Sequence, residues 1–145
     1  MTQFRFRHPV EVRFRDLDLG GHAHHSQALV YFEEARTAYW REVAGRPDPG
    51  DVDYILAEAT VRYRRRVLYP ATLEVAVQVS VLGKKHFEME YEVRDPDGEL
   101  LISGSTVLVM YDYESEKTAA VPEALRRRIE EHEGGPLPRR RSRIN

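Results

Sequence analysis

The chain has 145 residues, of which 41% are hydrophobic and 32% charged, with a formal net charge of -2. That is one domain's worth of sequence with enough apolar residues for a core, and its near-neutral balance gives no bulk electrostatic case for nucleic acid. The absence of cysteine rules out a disulfide framework, a thiol nucleophile and a Cys-type zinc site. No apolar run approaches the ~20 residues of a membrane helix, and MTQFRFRHPVEVRF lacks a signal-peptide core, so a cytoplasmic protein without membrane insertion is expected.

The first element reads as a strand. In HPVEVRFRD, Val10, Val12 and Phe14 share one parity and Glu11, Arg13 and Arg15 the other. If the chain stays extended, the same parity carries Asp16 and Asp18 to the apolar side. The glycine pair Gly20–Gly21 then breaks the strand.

From Ser26 the period becomes helical: Leu29, Phe32, Arg36, Tyr39 or Trp40, and Val43 recur at threes and fours. Ser26 is the expected N-cap, and Gly45 followed by Pro47 the stop. Glu33 is placed to pair with Arg36 at i,i+3.

Four alternating segments follow. Ala57, Ala59, Val61 and Tyr63 lie on one parity of the first; Leu73, Val75, Val77, Val79 and Val81 on one parity of the second. Phe87, Met89, Tyr91 and Val93 do so in the third, and the fourth, ELLISGSTVLVMYD, is apolar enough for a strand buried on both faces. DPDG at 95–98 marks a hairpin. A short helix is expected from Pro122 to about Glu133. The single domain therefore spans 1–133, and residues 134–145 form a basic, flexible tail.

Strand, helix, then four strands with short turns predicts an α+β fold, a curved antiparallel sheet wrapped around one long central helix. Such a sheet leaves an edge, and pairing edges about a two-fold axis would make a homodimer or, from two dimers, a homotetramer.

The run F-x-D-x-D-x-x-G-H-x-x-x-x-x-x-L-x-Y-x-E-x-A-R, Phe14 to Arg36, resembles the opening of the hotdog-fold acyl-CoA thioesterases. The branch it resembles is the 4-hydroxybenzoyl-CoA thioesterase-like group with its Tol-Pal-associated relatives. The resemblance implies a hotdog fold, oligomers with active sites at the dimer interface, an acyl-CoA substrate and no bound cofactor. It places the catalytic carboxylate on Asp18 and the histidine of the Tol-Pal-associated branch on His25. GHAHH, Gly21 to His25, departs from the G-H-V-N-N of many relatives, and Gln27 stands where the histidine-bearing branch has asparagine.

The residues fit that chemistry on their own terms. Thioester hydrolysis needs a carboxylate to attack the carbonyl or activate water, and a donor for the oxygen that gains charge. Asp18 supplies the first, as nucleophile or general base. Unpaired N–H groups of the helix N-terminus, near His24 to Gln27, suit the second. Gly21, His22 and His24 are expected to contact substrate, and His25 to hold water, orient the substrate or support the oxyanion. Asp16 is read as structural. Glu58, Glu33 and Glu34 are the other candidate carboxylates. Lys84 and Lys85, resembling a basic turn of the same branch, are expected on the coenzyme A phosphates, with Arg62, Arg64, Arg65 and Arg66 read mainly as a solvated strand face. The H-x-H-H spacing has no strong metal-binding pattern, so no metal is expected. Two other functions remain open: an acyl-carrier-protein thioesterase, and a non-catalytic acyl-CoA binder.

Overall fold

Alternation builds the middle of the sheet. In the computed structural model, which describes residues 3–141, the chain runs β1 (Phe6–Glu11), α1 (Gln27–Glu42), β2 (Tyr54–Tyr63), β3 (Thr72–Leu82), β4 (His86–Arg94), β5 (Leu100–Asp112), β6 (Lys117–Thr118) and α2 (Glu123–Glu133). The sheet order is β1-β3-β4-β5-β2, with β6 added on β5, and every pair is antiparallel. Val75, Val77 and Val79 of β3 and Phe87, Met89, Tyr91 and Val93 of β4 are buried, as their parity predicts. The β4–β5 hairpin turns at Asp95–Gly98, where Asp95 Oδ1 accepts the N–H groups of Asp97 and Glu99 (both 2.9 Å).

β2 departs from the expectation that consecutive strands pair. Instead of lying beside β3 it crosses to the far side of β5 and becomes a sheet edge. Its alternation is therefore mostly uncovered: Ala57 and Ala59 are exposed, and Leu56 is 44% exposed. Nor is β5 buried on both faces, since its burial alternates between buried and partly exposed residues from Thr106 to Met110.

The helix α1 buries Ala28, Tyr31, Phe32, Ala35, Arg36, Ala38, Tyr39 and Trp40. The expected stripe was rotated slightly, because Leu29 is 42% exposed. Stacked pairs fix the helix on the sheet: Phe32 on Tyr91 (4.3 Å between centroids) and Trp40 on Phe87 (4.9 Å). Phe32 needs the missing side chain of Gly104, where a Cβ would stand 2.8 Å from its ring. Arg36 does not pair with Glu33. It turns inward, only 5% exposed, and donates to Tyr91 Oη (3.1 Å), which in turn meets Thr106 Oγ1 (2.6 Å). Trp40 Nε1 donates to Asp53 Oδ1 (2.8 Å) and ties the end of α1 to the start of β2.

Beyond Val77, β3 has no neighbour from β1, and α2 with the following segment covers that edge. Val79 N donates to Glu133 Oε2 (3.0 Å) and Leu82 N to the Pro138 carbonyl (2.8 Å). The segment expected as a free tail is thus tied down as far as Arg141, which donates to Glu88 Oε1 (2.9 Å); residues 142–145 lie outside the described residues.

Candidate active site

The site is assembled where the chain leaves β1 and enters α1. The strand does not stay extended to Asp18: a 3-10 turn at Phe14–Asp16 intervenes. It turns Phe14 outward, 75% exposed, and sends Asp16 inward. Asp16 Oδ2 accepts the Arg13 N–H (2.9 Å) and the Tyr31 hydroxyl from α1 (3.0 Å), while its carbonyl accepts the His24 N–H (2.7 Å). Burial and the Asp16 carboxylate push the Tyr31 phenol well above its ordinary range, so it remains a donor. Asp16 is a buried anchor between loop and helix.

Asp18 opens a tight turn. Its N–H donates to the His22 carbonyl (2.9 Å), its carbonyl accepts the Gly21 N–H (3.1 Å), and Gly21 has φ +84°, where a glycine carries no Cβ penalty. Oδ1 accepts the N–H of Gly20 (2.8 Å) and of His22 (3.4 Å). Oδ2 faces His22 Nδ1 at 3.6 Å, outside hydrogen-bond range. Partial desolvation works to raise the Asp18 pKa, but the Gly20 and His22 N–H groups, helped by the His22 and His24 rings, hold it below the ordinary carboxylate range. The carboxylate is ionised, half-buried, and has one oxygen uncommitted.

At the entrance of α1, Ser26 is already in helical conformation and its side chain caps no backbone N–H, contrary to its expected role. Ser26 is instead held by His24, whose Nδ1 accepts the Ser26 N–H (3.1 Å) and lies 2.9 Å from Ser26 Oγ. The N–H groups of Gln27 and Ala28 go to the carbonyls of His24 (2.9 Å) and His25 (3.4 Å). That leaves the His25 N–H with no partner among the described residues. The His25 ring lies against that of His24, centroids 3.9 Å apart, and its carbonyl accepts the Tyr63 hydroxyl (2.6 Å).

These groups share one cleft of about 320 Å³. Asp18, His22, His24 and His25 line it together with Tyr31, Val67 and Ile102 and with the run Tyr63 to Arg66. Gly21 is exposed on the turn that follows Asp18. The sequence pointed to Asp18 and the histidines but not to Tyr63, and its arginines read mainly as a solvated strand face; the signal available was an alternating strand ending directly in a basic run.

Lys84 and Lys85 are not brought to the cleft of their own chain. They occupy the β3–β4 turn, where the Lys85 carbonyl accepts the Met110 N–H (2.8 Å), and Met110 is opposite Tyr54. The cleft is at Tyr63, the other end of β2, roughly 30 Å away along the strand. The remaining carboxylates also stay outside: Glu58 is opposite Val107 on β5, and Glu34 accepts from Arg13 Nη1 (3.3 Å).

A long helix laid on one face of an antiparallel sheet, with an ionised carboxylate at the helix entrance, is the hotdog arrangement of thioester-cleaving proteins. The chain belongs to the thioesterase-like superfamily, whose family model matches residues 12–129. It is similar to a thioesterase of Thermus thermophilus solved in complex with coenzyme A and zinc: 35% identity, covering 94% of this chain and 100% of that one, with a TM-score of 0.83. The acyl-CoA thioester hydrolase YbgC of Escherichia coli is 23% identical over 133 residues, covering 86% of this chain and 96% of that protein. An acyl-[acyl-carrier-protein] hydrolase from chloroplasts of Cuphea viscosissima is 30% identical over 83 residues, which are 57% of this chain and 20% of that protein.

Proposed function

We propose that this protein hydrolyses acyl-CoA thioesters to a carboxylic acid and free coenzyme A, with Asp18 as the reacting carboxylate. The observation that carries the reading is Asp18 itself: ionised, anchored through Oδ1, and with Oδ2 uncommitted on the wall of the cleft in a thioesterase-like chain. Oδ2, free of hydrogen bonds on a cleft-lining carboxylate, is read as the attacking atom. Attack by Oδ2 on the thioester carbonyl expels the coenzyme A thiolate and leaves a mixed anhydride; water then cleaves the anhydride, releasing the acid and restoring the carboxylate. The unpartnered His25 N–H is the donor for the oxygen that gains charge, and the His25 ring positions water.

The scheme requires no metal, since the carboxylate and a backbone N–H supply its chemistry.

The site is completed by a second copy of the chain. Among the described residues β2 is paired on one side only, by β5, and its ten-residue free edge exposes Ile55, Leu56 and Tyr63. Antiparallel pairing of two β2 edges sets the Tyr54 end of one copy beside the Tyr63 end of the other. The Lys84–Lys85 turn of the second copy then approaches the cleft, giving those lysines a route to the coenzyme A phosphates. The dimer, and any tetramer built from it, works in the cytoplasm.

An acyl-carrier-protein thioester is the second reading, favoured by the similarity to the Cuphea hydrolase. Steady-state thiol release from matched acyl-CoA and acyl-carrier-protein substrates tests both. Turnover of acyl-CoA at least as efficient as that of the carrier thioester is expected. Turnover confined to the carrier protein would replace the first reading with the second, and binding without turnover would make the protein an acyl-CoA binder.

A further inference from the structure

The β2–β3 connection carries three consecutive arginines onto the rim of the cleft, and the hydrolysis scheme uses none of them. The connection is a fixed arch. At one end the N–H groups of Arg64 and Arg65 both reach the Leu101 carbonyl (2.8 and 3.1 Å); at the other, the Val67 carbonyl accepts the Ala23 N–H (2.9 Å). Tyr63, just before it, donates to the His25 carbonyl (2.6 Å), so the arch is referenced to the entrance of α1 and hence to Asp18.

The side chains are cations with little internal employment. Arg64 Nε donates to Ser103 Oγ (3.2 Å). Arg65 stands 3.6 Å from Glu99 with both groups well exposed, a pair of small energetic consequence. Arg66 has no ion pair or side-chain hydrogen bond among the described residues. Asp18 is the one carboxylate among the cleft's lining residues, against three guanidinium groups. A surplus of positive charge, on planar forks held by a pinned backbone, suits phosphate.

We propose that Arg65 and Arg66 bind the phosphates of the coenzyme A nucleotide from the same chain that supplies Asp18. The proposal rests on the acyl-CoA reading of the cleft and assigns the handle to this arch rather than to Lys84 and Lys85 alone. A compact cluster of phosphates matches two adjacent forks better than carboxylates spread along a carrier-protein surface. Arg64, committed to Ser103, sets the base of the arch.

The test is the double variant Arg65→Ala/Arg66→Ala, assayed on an acyl-CoA, on the same acyl group carried by pantetheine, which lacks the nucleotide and its phosphates, and on the matching acyl-carrier-protein thioester. The expected result is a KM for acyl-CoA raised about tenfold or more with kcat within about twofold, and kinetics on acyl-pantetheine equal to those of the unmodified protein. Competitive inhibition by adenosine 3′,5′-bisphosphate should be lost in the variant, and in the unmodified protein it should weaken as ionic strength rises. An unchanged KM for acyl-CoA overturns the proposal. So does an equal loss on acyl-CoA and acyl-pantetheine, which would make the arch a shaper of the cleft. So does a KM increase confined to the carrier-protein thioester, which would make it a protein-docking rim. If the unmodified protein hydrolyses none of these, the acyl-CoA reading has failed, and calorimetric titration with adenosine 3′,5′-bisphosphate decides this inference separately: binding abolished by the substitutions upholds it, and no binding overturns it.

Discussion

Asp16 and Asp18 stand two residues apart and end in opposite circumstances. Sequence parity put both on one strand face; the 3-10 turn separates them, so Asp16 holds Tyr31 and the loop while Asp18 faces the cleft. The depressed Asp18 pKa gives a pH prediction with a definite sign. Its folded value lies below the usual value of about 3.9, so Asp18 stays ionised as pH falls past that value. The acid limb of kcat/KM should therefore lie below the ordinary aspartate range; an acid limb near pH 6 in protein still folded by circular dichroism would assign the titrating group elsewhere. By the same linkage, its stabilising bonds are present above the unfolded value and are lost as pH drops through the folded one. His25 is tested by side-chain chemistry. If it positions water, His25→Asn should retain activity within about tenfold, roughly 1.4 kcal/mol, and His25→Ala should lose more. Equal and severe losses in the two would mean proton transfer, since an amide does not titrate. The structural reading of Asp16 agrees with its bonds to Arg13 and Tyr31, whereas parity could not reveal that His24 Nδ1 accepts the Ser26 N–H.

At the scale of elements, what the sequence made legible is what burial dictates. The parity expected to face the helix is buried throughout β3 and β4, although Ala76 and Gln78 on the other parity of β3 and Glu88 on that of β4 are buried as well, and the DPDG hairpin and the glycine stop of α2 are local chemistry. β2 was legible as a strand but not as an edge, because alternation records two faces and says nothing of which neighbour lies alongside. Its exposed apolar residues are the basis for the proposed pairing with a second copy. Leu56→Asp should therefore yield a folded protein that sediments as a monomer at micromolar concentration, with activity reduced because the second copy's lysines no longer reach the cleft. A monomeric unmodified protein, or a variant that stays dimeric, would remove β2 pairing from the account. The helix stripe holds at Phe32, Arg36, Tyr39 and Trp40, all buried, and fails at Leu29, which is exposed.

Across the whole molecule, three segments converge on one cleft: the 18–25 turn, the start of α1 and the 63–67 arch. The first two are contiguous in sequence and were legible; the third is about forty residues away and depends on β2 crossing to the far side of β5. Because the proposed scheme draws its chemistry from a carboxylate and a backbone N–H, activity should survive exhaustive dialysis against chelator. Loss restored by one added metal would return the histidine cluster to consideration as ligands. The claim on which the rest depends is that Asp18 is the reacting carboxylate, and the direct measurement is kcat for acyl-CoA hydrolysis by Asp18→Asn beside Asp16→Asn, with folding and oligomeric state checked for each. The account predicts that Asp18→Asn folds normally and loses orders of magnitude in kcat, while Asp16→Asn keeps most of its activity and loses about 1 kcal/mol of stability as a charged hydrogen-bond acceptor becomes neutral. An Asp18→Asn protein retaining more than about a tenth of the original kcat, a penalty under ~1.4 kcal/mol, or a folded but inactive Asp16→Asn, would contradict it.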